Sequence, residues 1–316
     1  MTRAIDLLHS GLDRVICAYD VDGVIVDPGP GSCLGTLLAA LGGSEPSAIL
    51  LTHVHLDHAA GTGALVRRFP GLPVYVHELG APHLIDPARL VASARRVYGE
   101  HALGRLWGDI HPVPECNVRV LSEGAPVRGF RCARTPGHAS HHVAYLHEAS
   151  GDAYVGDVAG VVVPPFPFTA PPTPPPDIDL EAWTDSLTVL SGWRPTRLCL
   201  THFGPVEAVD EQISRTREGL AHWGECARRG DRDAFVQALE REARSAGGDE
   251  VSDRFFFAVA ADQMFAGLER YWRKHALERR GRPPERRRQH DGAGVAAERT
   301  PTPVGGRRAG PSRSIT

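Results

Sequence analysis

Residues 48–61, AILLTHVHLDHAAG, carry an apolar, strand-like run directly into three histidines and an aspartate. No other feature restricts the fold of this chain as much. A short apolar run of this kind reads as a buried strand, and the loop after it must gather several ligand-type side chains. Side chains alternate in an extended segment, so His53 and His55 project to one side and Asp57 continues the alternation. His58 lies beside them, where the next helix begins. A lone histidine usually has an ordinary packing or surface role. Four ligand-type residues within six positions point to metal.

Four side chains so close in sequence can hardly all surround one tetrahedral ion. Further donors are needed, and three later segments offer them. RTPGHASHH (134–142) presents His138 after a Pro-Gly turn, and AYVGDVAG (153–160) presents Asp157 at a strand end. LCLTHFGP (198–205) presents His202, and its LTH repeats the LTH of 51–53. Each falls where a strand gives way to a loop, the place where rigid scaffolds carry their chemistry.

Strand-like runs fill the first two-thirds of the chain: 15–20, 23–27, 48–53, 74–78, 118–121, 143–148, 152–157 and 197–202. Asp22-Gly23 has the composition of a tight hairpin turn. Helical patterns at 34–41, at 61–69 and from the N-cap candidate Asp179 alternate with the strands, which predicts an α/β layered domain over 1–206. Residues 207–278 carry only helical spacing, read as a helical extension packed on the body, with a substrate-contacting face as the alternative. The proline-rich stretch 164–177 is either a stiff connector or a support that holds Phe166 and Phe168 at a pocket mouth. Residues 279–316 lack large apolar side chains and read as a basic, disordered tail.

Composition narrows the function classes. The apolar fraction is 42% and the charged fraction 23%, as in soluble globular chains. No apolar run of 18 residues occurs, so no membrane span is expected. Asp6, Asp13 and Arg14 interrupt the N-terminal stretch, so no secretory signal is expected, and the cytoplasm is the expected compartment. Six scattered cysteines without a CxxC pair argue against a disulfide framework or a cysteine zinc site. The tail 279–316 holds ten arginines against three acids, leaving 1–278 with a net charge of −10. Such an acidic body does not suit nucleic acid. Nothing in the sequence sets an oligomeric state.

The order HxHxDH, then His138, Asp157 and His202, resembles the metallo-β-lactamase superfamily, specifically its glyoxalase-II-like (hydroxyacylglutathione hydrolase-like) branch, over about residues 12–206. The resemblance implies an α/β (α+β) fold, a four-layer αβ/βα sandwich with two metals at its edge and here a C-terminal helical extension. It implies that His53, His55 and His138 hold one metal, that Asp57, His58 and His202 hold the other, and that Asp157 bridges them. VDGVIVDPG (21–29) resembles the family's opening hairpin, with Asp27 supporting the ligands from behind.

Two dications about 3.5–4 Å apart depress the pKa of a shared water toward about 7. The expected reaction is attack of a bridging hydroxide on a thioester, ester or lactone of a small acyl compound. The donors suit two zinc ions per chain and also accept iron or manganese. Asp57 and His142 are the catalytic candidates, His142 as a group behind the ligands or as a donor to substrate, while His141 is expected to orient its loop. His77, His83, His101 and His111 are expected to be ordinary. A persulfide dioxygenase with one iron on His53, His138 and Asp157 is the alternative enzyme class. A non-catalytic binding module would normally show gaps in the ligand set, and none of the seven positions is missing. The lysine- and arginine-bearing glutathione motifs of the hydrolase branch do not align here, which leaves the acyl compound open.

Overall fold

The computed structural model describes residues 2–122 and 124–281. The chain opens with an antiparallel meander of β1 (Thr2–Asp6), β2 (Cys17–Val21) and β3 (Val24–Val26). Asp22 and Gly23 join the last two strands with φ of 50° and 85°, the left-handed pair that a two-residue hairpin of this twist requires. Then follow α1 (Leu34–Leu41), β4 (Ala48–Leu50), α2 (Leu56–Ala59), α3 (Thr62–Arg68) and β5 (Val74–Val76). Three further helices, α4 (Ala81–Ile85), α5 (Ala88–Tyr98) and α6 (Glu100–Trp107), precede β6 (Val118–Val120). Strands β3 to β6 pair in parallel and complete a six-stranded sheet in chain order.

The second half builds a second sheet from β7 (Phe130–Arg134), β8 (Val143–His147) and β9 (Asp152–Gly156). A two-stranded ribbon of β10 (Val161–Val162) and β11 (Thr169–Ala170) leads to α7 (Leu180–Trp193), β12 (Arg197–Leu200) and β13 (Gly204–Val206). The order is β13-β12-β9-β8-β7, with only β12 and β9 parallel. Among the described residues only helices follow: α8 (Val209–Arg228), α9 (Arg232–Ala258) and α10 (Ala261–Gly281). Helix α9 is broken at Gly247 and Gly248, whose dihedrals are not helical. The remainder of the basic stretch 279–316 lies outside the described residues.

Strand alternation sorts the side chains into layers. Tyr19, Val24, Val26 and Leu50 of the first sheet meet Phe130, Tyr145, Tyr154 and Cys199 of the second in one core. Their neighbours Ala18, Ile25 and Ile49 point away, onto Leu37 of α1 and Leu65 of α3. On the far side, Leu146, Val155 and Leu200 pack against Trp183 of α7 and Trp223 of α8. The result is helix, sheet, sheet, helix: the expected four-layer α+β sandwich. The helices after 207 bury Phe235, Phe255, Met264 and Leu268 in that outer core. No helix among the described residues is long and apolar enough to cross a membrane.

Two details of this frame position the site. Between the sheets, the Tyr145 hydroxyl donates to the Leu51 carbonyl and the Tyr19 hydroxyl to the Leu200 carbonyl, at 2.7 and 2.6 Å. Each buried tyrosine thus ties down a strand end that leads into a candidate ligand loop. Asp179 accepts from the Ala182 amide at 3.0 Å and caps α7 as its sequence position predicts.

Sequence patterning missed β1, β7, β10, β11, β13 and helices α4 to α6. Strand β1 buries only Ile5, and in β7 Arg131 and Arg134 obscure the alternation of buried Phe130 and Cys132. With one or two buried apolar residues in five, neither strand carries enough alternation to stand out from a loop.

Candidate metal centre

Every ligand-type residue of the sequence cluster converges at one edge of the two sheets. His53 and His55 lie on the loop after β4, Asp57 and His58 on α2, His138 between β7 and β8, Asp157 directly after β9, and His202 after β12. Three groups have ligand atoms within 4.8 Å of one another: His53, His55 and His138; His53, His58 and Asp157; and Asp57, His58 and His202.

Four of the five imidazoles, those of His53, His58, His138 and His202, are held from behind at Nδ1, which turns Nε2 inward. Asp27, fully buried, accepts from the Thr52 amide at 2.8 Å, the Thr52 hydroxyl at 2.6 Å and the Thr201 hydroxyl at 3.1 Å, and contacts His58 Nδ1 at 2.8 Å. The two LTH segments therefore repeat because both threonines serve one carboxylate. Since the Thr52 hydroxyl donates to Asp27, it accepts from His53 Nδ1 at 3.1 Å. His138 Nδ1 donates to the Pro172 carbonyl at 2.9 Å, and His202 Nδ1 to the Val15 carbonyl at 2.6 Å. Fixing the outer nitrogen in this way sets ring orientation and tautomer in metal sites.

Inward, the arrangement fits cations. His53 Nε2, His58 Nε2 and Asp157 Oδ1 are buried without a hydrogen-bond partner, a state that folded proteins rarely leave uncompensated. Oδ2 of Asp157 lies 3.2 Å from His138 Nε2, while Oδ1 lies 3.1 Å from His58 Nε2 and 3.6 Å from His202 Nε2. Asp57 Oδ2 lies 3.2 Å from His202 Nε2. His55 Nδ1 and His138 Nε2 approach to 2.9 Å. This donor set of imidazoles and carboxylates suits borderline divalent metal ions.

Electrostatics follow the same division. Burial, reinforced by neighbouring imidazoles, holds His53 well below the ordinary histidine pKa and takes His55 down to about 4. At His58 burial also opposes the charge, but Asp157, Asp57 and Asp27 outweigh it and raise the pKa well above the usual value. His202 is raised against the same burial by Asp157 and Asp57. Burial works against the Asp57 and Asp157 carboxylates as well, yet His58 and the other imidazoles keep both ionised. The cluster thus stabilises positive charge beside two carboxylates.

Local sequence explains the placement. Gly156 sits at φ +49°, and a Cβ there would come within 2.6 Å of both His142 Nε2 and the Thr52 hydroxyl. Gly137, before His138, would collide with Trp183 if it carried a side chain. Trp183 in turn donates its indole N–H to the Val158 carbonyl at 2.7 Å, and Ser186 donates to the Pro136 carbonyl at 2.6 Å. Helix α7 therefore braces the loops of both His138 and Asp157.

Some expectations need correction. His142 is fully buried; Nε2 accepts from the Asp157 amide at 3.3 Å and Nδ1 contacts the Thr135 hydroxyl at 2.8 Å. It lies behind the ligands and off the cavity wall, so it has no path to donate to substrate. His141 is buried with Nε2 unpartnered, and burial takes its pKa down to about 3. Phe166 and Phe168 do not form the pocket mouth. Phe168 packs on Phe255 in the outer core, and Phe166 lies against that core. Pro172 and Pro174 to Pro176, from the same stretch, line the cavity instead. Sequence patterning also missed His9, which is buried, stacks on Trp107 at 5.4 Å and contacts Cys33 Sγ at 3.5 Å. No motif marks it. The wall from α5 had a usable signal: Leu90, Ala94, Val97 and Tyr98 follow helical spacing.

Comparison with known proteins agrees with this geometry. The sequence profile of the metallo-beta-lactamase superfamily matches residues 16–202. A hydroxyacylglutathione hydrolase from Xylella fastidiosa (strain M12) is 34% identical over 131 residues, 42% of this chain and 39% of the relative. A namesake from Hamiltonella defensa is 54% identical over 110 residues, 32% of this chain and 44% of the relative. The chain thus matches less than half the length of these relatives. Among solved structures, an archaeal metallo-beta-lactamase superfamily protein from Sulfolobus tokodaii superposes with a TM-score of 0.57 at 22% identity, covering 69% of this chain and 85% of the other. A metallo-beta-lactamase family protein from Thermus thermophilus gives 0.56 at 22% identity, covering 83% and 89%. With the profile spanning more than half of its residues and the sandwich to match, this chain belongs to the metallo-beta-lactamase superfamily.

Proposed function

We propose that the protein is a dinuclear metal-dependent hydrolase that cleaves a thioester, ester or lactone of a small acyl compound. The observation that carries this reading is the two-sided Asp157 carboxylate, one oxygen toward His138 and the other toward His58 and His202. His53, His55 and His138 would hold one ion; Asp57, His58 and His202 would hold the other; Asp157 would serve both. Zinc is the proposed metal at both positions, and iron or manganese is compatible with the same donors. When bound, such a pair lowers the pKa of a shared water toward about 7 and polarises an acyl carbonyl.

The protein's own residues prepare that chemistry. Asp27 fixes His58 and both LTH threonines, so the ligands need little reorganisation. Asp57 lines the cavity while contacting His202, which puts this ionised carboxylate on the substrate-facing side of the second position. His142 anchors the Asp157 amide and acts as a positioning residue. The hydrolases among the relatives support the thioester option by their names alone.

Purified protein stripped with a chelator and reloaded with zinc, manganese or iron tests the reading. Ester or thioester hydrolysis should vanish on stripping and return on loading two ions per chain. A single iron per chain with oxygen consumption on a persulfide substrate would replace the hydrolase by the dioxygenase reading.

A further inference from the structure

The candidate ligand cluster forms the floor of a cavity of about 210 Å³. His55, Asp57, His138 and Asp157 make the polar end. Above them the walls are Leu90, Val97, Tyr98, Trp107, Pro174 and Val259, drawn from α5, α6, the proline-rich loop and the joint between α9 and α10. The other polar side chains there are neutral: Ser93, Gln263 and the Tyr98 phenol. Among the described residues, no lysine or arginine lines the cavity.

From this we propose, resting on the hydrolase reading above, that the cavity binds an uncharged aliphatic acyl chain, its scissile carbonyl at the ligand floor. Apolar walls reward burial of a hydrocarbon chain in proportion to its area. A carboxylate in the same place would leave water without a cationic partner, which is strongly unfavourable. The chain that follows the carbonyl is thus held, while the departing thiol or alcohol leaves by the open side. In the reaction, water oxygen bonds to the acyl carbon, the C–S or C–O bond breaks, and a water proton ends on the leaving group.

Val97 offers a clean perturbation because it lines the cavity yet is 51% exposed, so a polar replacement does not disturb a core. The test uses the full chain loaded with zinc. Substrates are N-acetylcysteamine thioesters from acetyl to hexanoyl, the glutaryl thioester with its terminal carboxylate, p-nitrophenyl esters of the same acids, and S-lactoylglutathione. The expected kcat/KM rises about fourfold per methylene from acetyl to hexanoyl and falls back for glutaryl. In Val97→Asp the ratio of hexanoyl to acetyl kcat/KM should drop at least about tenfold, with metal content and circular dichroism as controls. A flat acyl series, or a preference for S-lactoylglutathione over hexanoyl, overturns the acyl-chain assignment and leaves the hydrolase reading intact. No turnover of any ester or thioester by protein carrying two metals overturns both.

Discussion

Nδ1 of His58 lies 2.8 Å from Oδ2 of Asp27, and both side chains are buried to within 1% exposure. The same carboxylate also takes the Thr52 amide and the hydroxyls of Thr52 and Thr201. Asp27 therefore couples the loop after β4 to the loop after β12, although 174 residues separate it from Thr201.

Asp27→Ala should loosen both loops together. Each buried donor it strands costs about 1–3 kcal/mol, and loss of a group that orients a ligand lowers metal affinity by about 10–100-fold. Zinc titration with a competing chelator and thermal melts check the two effects separately. An unchanged zinc affinity would mean that His58 does not depend on Asp27 for its orientation.

His58→Ala removes a donor that faces Asp157 and Asp57 rather than a supporting group. Bound metal should fall from two ions to about one, and hydrolysis by more than about a hundredfold, the upper range for losing a mere supporting partner. Metal analysis of the variant after gel filtration, paired with ester turnover, reads both.

Gly156→Ala places a methyl group 2.6 Å from His142 and Thr52 at a left-handed backbone position. Backbone strain of this kind costs about 1–3 kcal/mol before any displacement of neighbours. Because Asp157 follows directly, the variant should lose metal as well as stability. A melt and a metal count distinguish this from a local loop defect, which would spare the metal.

Acid should destabilise the chelated protein. Burial holds His53, His55, His138, His141 and His142 below the ordinary histidine pKa. Their contribution is complete above about pH 6.5, the unfolded value. It is lost as pH falls through the folded values, about 4 for His55 and about 3 for His141. His58 and His202 have raised values and contribute in the opposite sense, fully below about pH 6.5. Below pH 6.5 the His58 and His202 contributions no longer change, so the lowered histidines, with His9 and His77 among them, set a loss of stability from pH 6.5 toward 4. Urea midpoints in the presence of a chelator measure it, and a midpoint that rises on acidification contradicts the assignment.

How much of this was legible in sequence depended on how strongly each residue was tied to a strand end. His53, Asp157 and His202 each follow an apolar run and His138 follows a Pro-Gly turn, so each could be placed at a loop entrance, and the hairpin at Asp22-Gly23 and the cap at Asp179 followed from local turn chemistry. The resemblance of VDGVIVDPG marked Asp27 as a support behind the ligands, while its particular partners Thr52, His58 and Thr201 emerged only in three dimensions. His142 misled because adjacency to His138 suggests the same pocket, whereas the chain turns and points it behind Asp157. Phe166 and Phe168 misled because hydrophobicity does not say which face is covered: α9 covers Phe168, and the neighbouring prolines take the cavity wall. His9 carries no periodic or motif signal at all.

The proposed division of seven ligands between two ions is central to all of this. Metal content of the purified, dialysed chain, measured per mole of protein alongside hydrolysis in matched samples, tests it most directly. Two divalent transition-metal ions per chain are predicted, with activity that rises only as the second is restored. Full activity at one ion per chain, or activity that survives complete chelation, would contradict it.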